Sequence, residues 1–178
     1  MNFSELIKHR QSNRAYENKA VEREKIEQCL DAGRLAPSTN NSQGWTFVVV
    51  DDDDLKNAIT DTCGGIYGNK WAKQAPVIIA LVAEKPILMS RMGSKLRKID
   101  FSSLDLGIVA THICLQAADI GLGTCMIEGF NEKTVKSVLN IPENKKIALL
   151  ITLGYPADSQ RNKKRKEFTE VVKFNKYQ

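Results

Sequence analysis

Apolar residues along this chain recur in two rhythms. Unbroken runs of strand length stand at 77–83 (VIIALVA) and 147–153 (IALLITL), as expected of strands buried on both faces. Shorter apolar runs at 46–50 and 124–127 predict two more strands. The longest helical pattern starts near Ser103. At about 100° per residue, Asp105, His112, Gln116 and Asp119 line one polar stripe, and Gly107, Ala110, Cys114, Ala117, Ala118 and Gly121 line the opposite side. Leu and Ile fill the flanks. A helix apolar nearly all round belongs in a core, and its seam of small residues lets another helix backbone approach. Gly121-Leu122-Gly123 ends it, since glycine suits the left-handed position just beyond a helix.

Shorter helices are predicted around this centre. One spans 3–9, capped by Asn2 with Glu5 in its first turn. Another spans 22–35, with Ile26, Cys29, Leu30 and Leu35 as a partial apolar face and Pro37 as its stop. The acid run Asp51 to Asp54 reads as a loop and N-cap rather than a metal site, because Leu55, Ala58 and Ile59 begin a helix directly after it. Residues 70–74 suit a helical turn ahead of Pro76, and Asn131 caps a helix running through Leu139 that Asn140 and Pro142 end. The mixed, basic stretch 84–98 suits a surface helix or a mobile cover near a ligand. Residues 168–174 form a β-favouring tail with no partner of its own, free to pair with another subunit. Strands alternating with helices imply an α+β or α/β layered fold around a mostly central sheet.

Composition narrows the function classes. At 178 residues, 42% hydrophobic and 26% charged, the chain is expected to be one ordinary globular domain over 1–178. Met1 to Ser12 is too polar for a signal-peptide core, and two aspartates, a histidine and a glutamine interrupt the long helix, so no membrane span is expected. Cys29, Cys63, Cys114 and Cys125 form no CxxC pair, which fits a reduced cytoplasmic chain and leaves the cysteines to packing. His9 and His112 alone offer little for a metal site or a Ser-His-Asp triad, and His112 is assigned to core hydrogen bonding. The net charge is +5, concentrated at 161–166 (RNKKRK). Three uses fit that run: a solvated linker, nucleic-acid contact without a recognised motif, or an anionic phosphate held by the same protein.

Two stretches carry candidate chemistry. In Arg10-Gln11-Ser12-Asn13-Arg14, two arginines flank a hydroxyl and an amide at a helix end, which suits a phosphate and polyol clamp. From Ala36 to Trp45 a loop of six consecutive small polar side chains, 38–43, joins a helix to a strand, where loops often carry function. Gly64, Gly65 and Gly68 around Tyr67 form no phosphate-binding glycine loop, because no strand precedes them.

Together, RQSNR at 10–14, APSTNNSQGW at 36–45, GLGTCMIEGF at 121–130 and LGYP with the basic segment ending at Arg165 resemble the flavin-dependent nitroreductase family over nearly the whole length. That resemblance implies an α+β fold with a central mixed sheet, a long central helix in the core of a homodimer, and exchanged chain ends that include the C-terminal strand. It implies FMN at each of two subunit interfaces, NADH or NADPH as reductant, and ping-pong hydride transfer to nitroaromatic, quinone or similar small-molecule acceptors. Arg10, Ser12 and Arg14 look like contacts to the flavin phosphate, ribityl chain and ring edge, with Gln11 contributing in the same segment. Lys163 and Arg165 look like the second half of the phosphate site. Pro37, Ser38, Thr39 and Asn41 look like the loop that reaches the isoalloxazine from the partner subunit, and Glu128 and Gly129 like the turn beside its N5. No residue is assigned as a nucleophile or base, because the flavin carries the chemistry. Gly44 departs from the proline that many members carry after the glutamine, and no long insertion over the pocket is evident. Competing functions are a same-fold flavin enzyme that desaturates, dehalogenates or consumes its flavin, or a basic nucleic-acid-binding protein without cofactor. Neither nucleic acid nor membrane is the expected partner.

Overall fold

The two unbroken apolar runs lie side by side in the middle of one sheet. The computed structural model describes residues 1–84 and 100–177. Strands β1 (Trp45–Val50), β2 (Val77–Ala83), β3 (Gly123–Ile127) and β4 (Lys146–Gly154) pair antiparallel in the order β1-β2-β4-β3. Side chains of β2 alternate between faces: Ile78, Ala80 and Val82 enter one core cluster, Val77, Ile79 and Leu81 the other. Both faces therefore need helices. α2 (Arg23–Arg34) and α4 (Phe101–Asp119) cover one, through Ile26, Cys29, Val109 and Ile113; α3 (Asp53–Asp61) and α5 (Glu132–Val138) cover the other, through Ile59 and Val135.

This is the expected α+β architecture. The parallel pairing that would make the sheet mixed is limited, among the described residues, to an isolated bridge between Ser12 and Thr124. Caps form where the side chains allow. Asn2 and Glu5 make a reciprocal capping box on α1 (Phe3–His9), and Asp52 accepts the Leu55 N–H at 2.9 Å, so the acid run does start a helix. At the far end of α4, Leu122 N–H donates to the Ala117 carbonyl and Gly121 N–H to the Ala118 carbonyl, with Gly121 at φ +80°. That double closure turns the chain straight into β3.

Two expectations are corrected and a third is not reached. The small-residue seam of α4 is split: Ala110, Cys114, Ala117 and Ala118 are buried in the core beneath it, while Gly107 and Gly121 stay exposed. Close helix approach falls instead at Gly33 of α2, where an added Cβ would lie 2.8 Å from Ile113 Cγ1. Within the single chain, the β-favouring tail instead holds one helical turn, α6 (Phe168–Val171), which Glu167 and Glu170 cap reciprocally. The helix or cover expected over 84–98 lies, beyond Glu84, outside the described residues.

Candidate active site

Beyond α1 the chain runs extended along the end of β3. Asn13 N–H donates to the Thr124 carbonyl at 2.8 Å, and Gly123 makes room for it, since a Cβ there would lie 2.7 Å from Asn13 Cγ. In an extended segment alternate side chains diverge, so Gln11 and Asn13 project one way and Arg10, Ser12 and Arg14 the other. The first pair is engaged with the chain's C-terminal part. Gln11 Nε2 donates to the Ser159 carbonyl and its Oε1 accepts the Arg161 N–H, both at 3.0 Å; Asn13 Nδ2 donates to Asp158 Oδ1 at 2.6 Å. Gln11 thus acts by holding the segment in place.

The other side of the segment is cationic. Asp158 also accepts the Arg14 backbone N–H at 3.1 Å, and Arg161 reaches both Asp158, at 3.7 Å, and the Ser12 carbonyl. Lys163 Nζ donates to the Ile7 carbonyl at 2.6 Å. Partial burial, then Arg10 and Arg165, hold the Lys163 ammonium below the usual lysine range, so these three cations converge. Among the described residues, Arg10, Arg14, Lys163 and Arg165 make no ion pair with a carboxylate. Like charges gathered without counter-charge suit an anion, and arginine forks suit a phosphate. The cavity beside the segment measures about 160 Å³, below the roughly 300–1,000 Å³ of ligand pockets. A large ligand would therefore lie on the segment's open face.

Sequence reasoning missed Asp158 and Gln160 and took Arg161 only as part of the basic run; the three join the two chain ends. Gln160 Nε2 donates to the His9 carbonyl at 2.9 Å. Their signal was faint: one acid and one amide directly ahead of the basic run.

The turn Glu128-Gly129 leaves β3 three residues beyond the Thr124 contact, with Phe130 buried behind it. Tyr67 lies against Gly129, where an added Cβ would meet its ring at 2.8 Å. The glycine-rich stretch around Tyr67 therefore borders this turn. Burial raises the Cys125 thiol against the pull of Arg14, Ser12, Arg161 and Arg10, and elsewhere in the core pushes Cys29 up to about 12 and Cys63 up to about 11, which disfavours the reactive thiolate.

The loop 37–43 lies elsewhere. Thr39 N–H donates to both oxygens of Asp105 at 3.0 and 3.1 Å, and its hydroxyl donates at 3.0 Å, tying the loop near the start of α4. Pro37 and Asn41 are exposed, Ser38 and Thr39 half-buried. From Asp105 to Leu122 the helix and its cap climb about 25 Å at 1.5 Å per residue. Pro37, Ser38, Thr39 and Asn41 thus stand a helix length from Arg10, Ser12 and Arg14 in the same chain.

A sequence profile of the nitroreductase family matches residues 7–67 and 65–155. The chain belongs to the nitroreductase family. A nitroreductase family protein from Clostridium novyi NT shares 31% identity over 91% of this chain and 89% of its own, with a TM-score of 0.76. An FMN-dependent nitroreductase from Clostridium difficile R20291 shares 29% over 97% and 98%, with a TM-score of 0.78. A putative NADH dehydrogenase/NAD(P)H nitroreductase from Methanothermobacter thermautotrophicus is 30% identical over 89% of this chain and 80% of its own length. This nitroreductase-family chain thus carries the four motifs on the family's fold, with its two groups of candidate residues at opposite ends of α4.

Proposed function

We propose that this chain is an FMN-dependent NAD(P)H oxidoreductase acting as a homodimer in the cytoplasm, with each flavin held between two subunits. The observation that carries this reading is the separation along α4. Neither end alone encloses a mononucleotide, whereas a second copy packed antiparallel would bring its 37–43 loop to the first copy's Arg10 to Arg14 segment. An open face on α4 supports such packing: Leu104, 55% exposed, Ile108, 37% exposed, and Gly107, beside which an added Cβ would find open space. Leu104 and Ile108, four residues apart on one helix face, would be covered by such packing.

The donor set fits FMN. Arg10, Lys163 and Arg165 would hold the phosphate, replacing their mutual repulsion with charge-assisted hydrogen bonds. Ser12 would meet the ribityl chain. Arg14 would lie at the ring edge, where its charge favours the anion that develops on reduction. The backbone at Glu128 and Gly129 would stand beside N5, and Pro37, Ser38, Thr39 and Asn41 of the partner would cover the ring. When bound, FMN would take a hydride from NADH or NADPH and pass reducing equivalents to nitroaromatic, quinone or similar acceptors in a ping-pong cycle.

The contacts of Arg161 with Ser12 and Asp158, and of Lys163 with Ile7, favour a phosphate held within this protein over nucleic-acid binding by the basic run. Purified protein should be yellow or take up one FMN per chain, bleach anaerobically with NADH or NADPH, and reoxidise with an acceptor panel. Failure to bind added FMN would reject the proposal; bleaching without reoxidation by any nitroaromatic or quinone would reject the acceptor class.

A further inference from the structure

The loop 37–43 has an unusual backbone. Asn40, Asn41 and Gln43 lie at φ 54°, 52° and 45°, three left-handed residues within four positions, none of them glycine. Asparagine tolerates this region better than most residues, yet such a cluster persists only where surrounding contacts over-determine it. The helical turn Thr39–Asn41 lacks its own side-chain cap, because the Ser38 hydroxyl accepts the Gln43 N–H at 2.9 Å and closes the loop's other end. The missing cap comes from 66 residues away: buried Asp105 accepts the Thr39 N–H and hydroxyl, with the Ser42 hydroxyl at a longer 3.5 Å.

Asp105 is 6% exposed, and among the described residues no cation pairs with it. A buried carboxylate is stabilised by its donors, and Thr39 and Ser42 of the loop donate to this one. We infer that Asp105 is a positioning residue: through Thr39 and Ser42 it fixes the strained loop to α4 and so sets where Ser38, Thr39 and Asn41 meet the partner subunit's flavin ring. This inference rests on the composite site proposed above. It places Asp105 out of reach of the cofactor and acting through the loop, so geometry at one flavin depends on a carboxylate in the other chain.

Asp105→Asn is nearly isosteric but turns one acceptor into a donor facing the Thr39 N–H. In the cofactor-free dimer, hydrogen exchange at the Thr39 amide should accelerate about tenfold or more, as loss of a charge-assisted hydrogen bond implies. In the FMN-loaded dimer, the visible circular dichroism of the flavin should change and KM for the acceptor should rise, while Asp105→Glu restores part of both. Unchanged exchange overturns the inference. Faster exchange with an unchanged flavin spectrum and KM overturns it too, since the carboxylate would then hold the loop without placing it. Should Asp105→Asn not fold, Thr39→Val removes the hydroxyl arm, and exchange across 38–43 should rise about fivefold; no rise overturns the inference. Wild-type protein that binds no FMN would reject the flavin reading instead, and leaves the cofactor-free exchange result standing.

Discussion

The hydroxyls of Tyr16 and Thr152 meet at 2.6 Å beneath the Arg10 to Arg14 segment, and Tyr16 Oη also donates to the Asn13 carbonyl at 3.1 Å. Thr152 Oγ1 in turn accepts the Cys125 N–H at 3.1 Å, so one buried network ties the segment to β3 and β4. Burial pushes the Tyr16 phenol far above its ordinary range, leaving it neutral at working pH. Tyr16→Phe leaves Asn13 without this donor and should cost about 1–3 kcal/mol. Urea unfolding checks this, and an unchanged midpoint would contradict it.

Arg14→Ala should keep the fold, because among the described residues the Arg14 side chain makes no ion pair and its backbone N–H contact with Asp158 survives. Loss of a charged partner at the flavin edge should weaken FMN by about tenfold or more and slow flavin reduction. Stopped-flow reduction under anaerobic conditions measures the second effect; unchanged kinetics would remove Arg14 from that role.

Lys163 supplies a pH signature. Its pKa is lowered by desolvation, then by Arg10 and Arg165, so its charge is lost at a lower pH than for an ordinary lysine. FMN affinity should therefore fall as pH rises through that lowered value. Lys163→Arg should remove the fall, since arginine keeps its charge. Fluorescence titration of FMN across the alkaline range decides this, and an identical profile for both proteins would exclude Lys163 from the phosphate site.

Asp158 separates positioning from simple charge. Removing an acid near an anion site should tighten binding by electrostatics alone. Asp158 nevertheless holds Asn13, the Arg14 backbone and Arg161, so Asp158→Asn should weaken FMN, with the loss persisting at high salt. Tighter binding, or a loss abolished by salt, would contradict this.

Much of this was legible in the residues. Caps at Asn2, Asp52 and Asn131, the stop at Gly121 and the buried runs of β2 and β4 announce themselves locally, because each depends on neighbours a few positions away. Asp105 was visible only as part of a polar stripe, since its partners lie 66 residues earlier. Asp158 escaped for the same reason, as did the contact that Arg161 of the basic run makes: their links to Asn13 and Ser12 span 145 and 149 residues. At 168–171 the β-favouring composition misled, because a local capping box between Glu167 and Glu170 set a helical turn there.

The central claim is that each flavin site draws on both subunits, and a mixed dimer tests it most directly. One protomer carries Arg10→Ala with Arg165→Ala, which disables the phosphate half; its partner carries Thr39→Trp, which disables the loop. Both homodimers should bind no FMN, whereas the mixed dimer should bind one, at the site built from the two intact halves, as read by native mass spectrometry and flavin absorbance. A mixed dimer as empty as its two parents would show that each site is assembled within one chain.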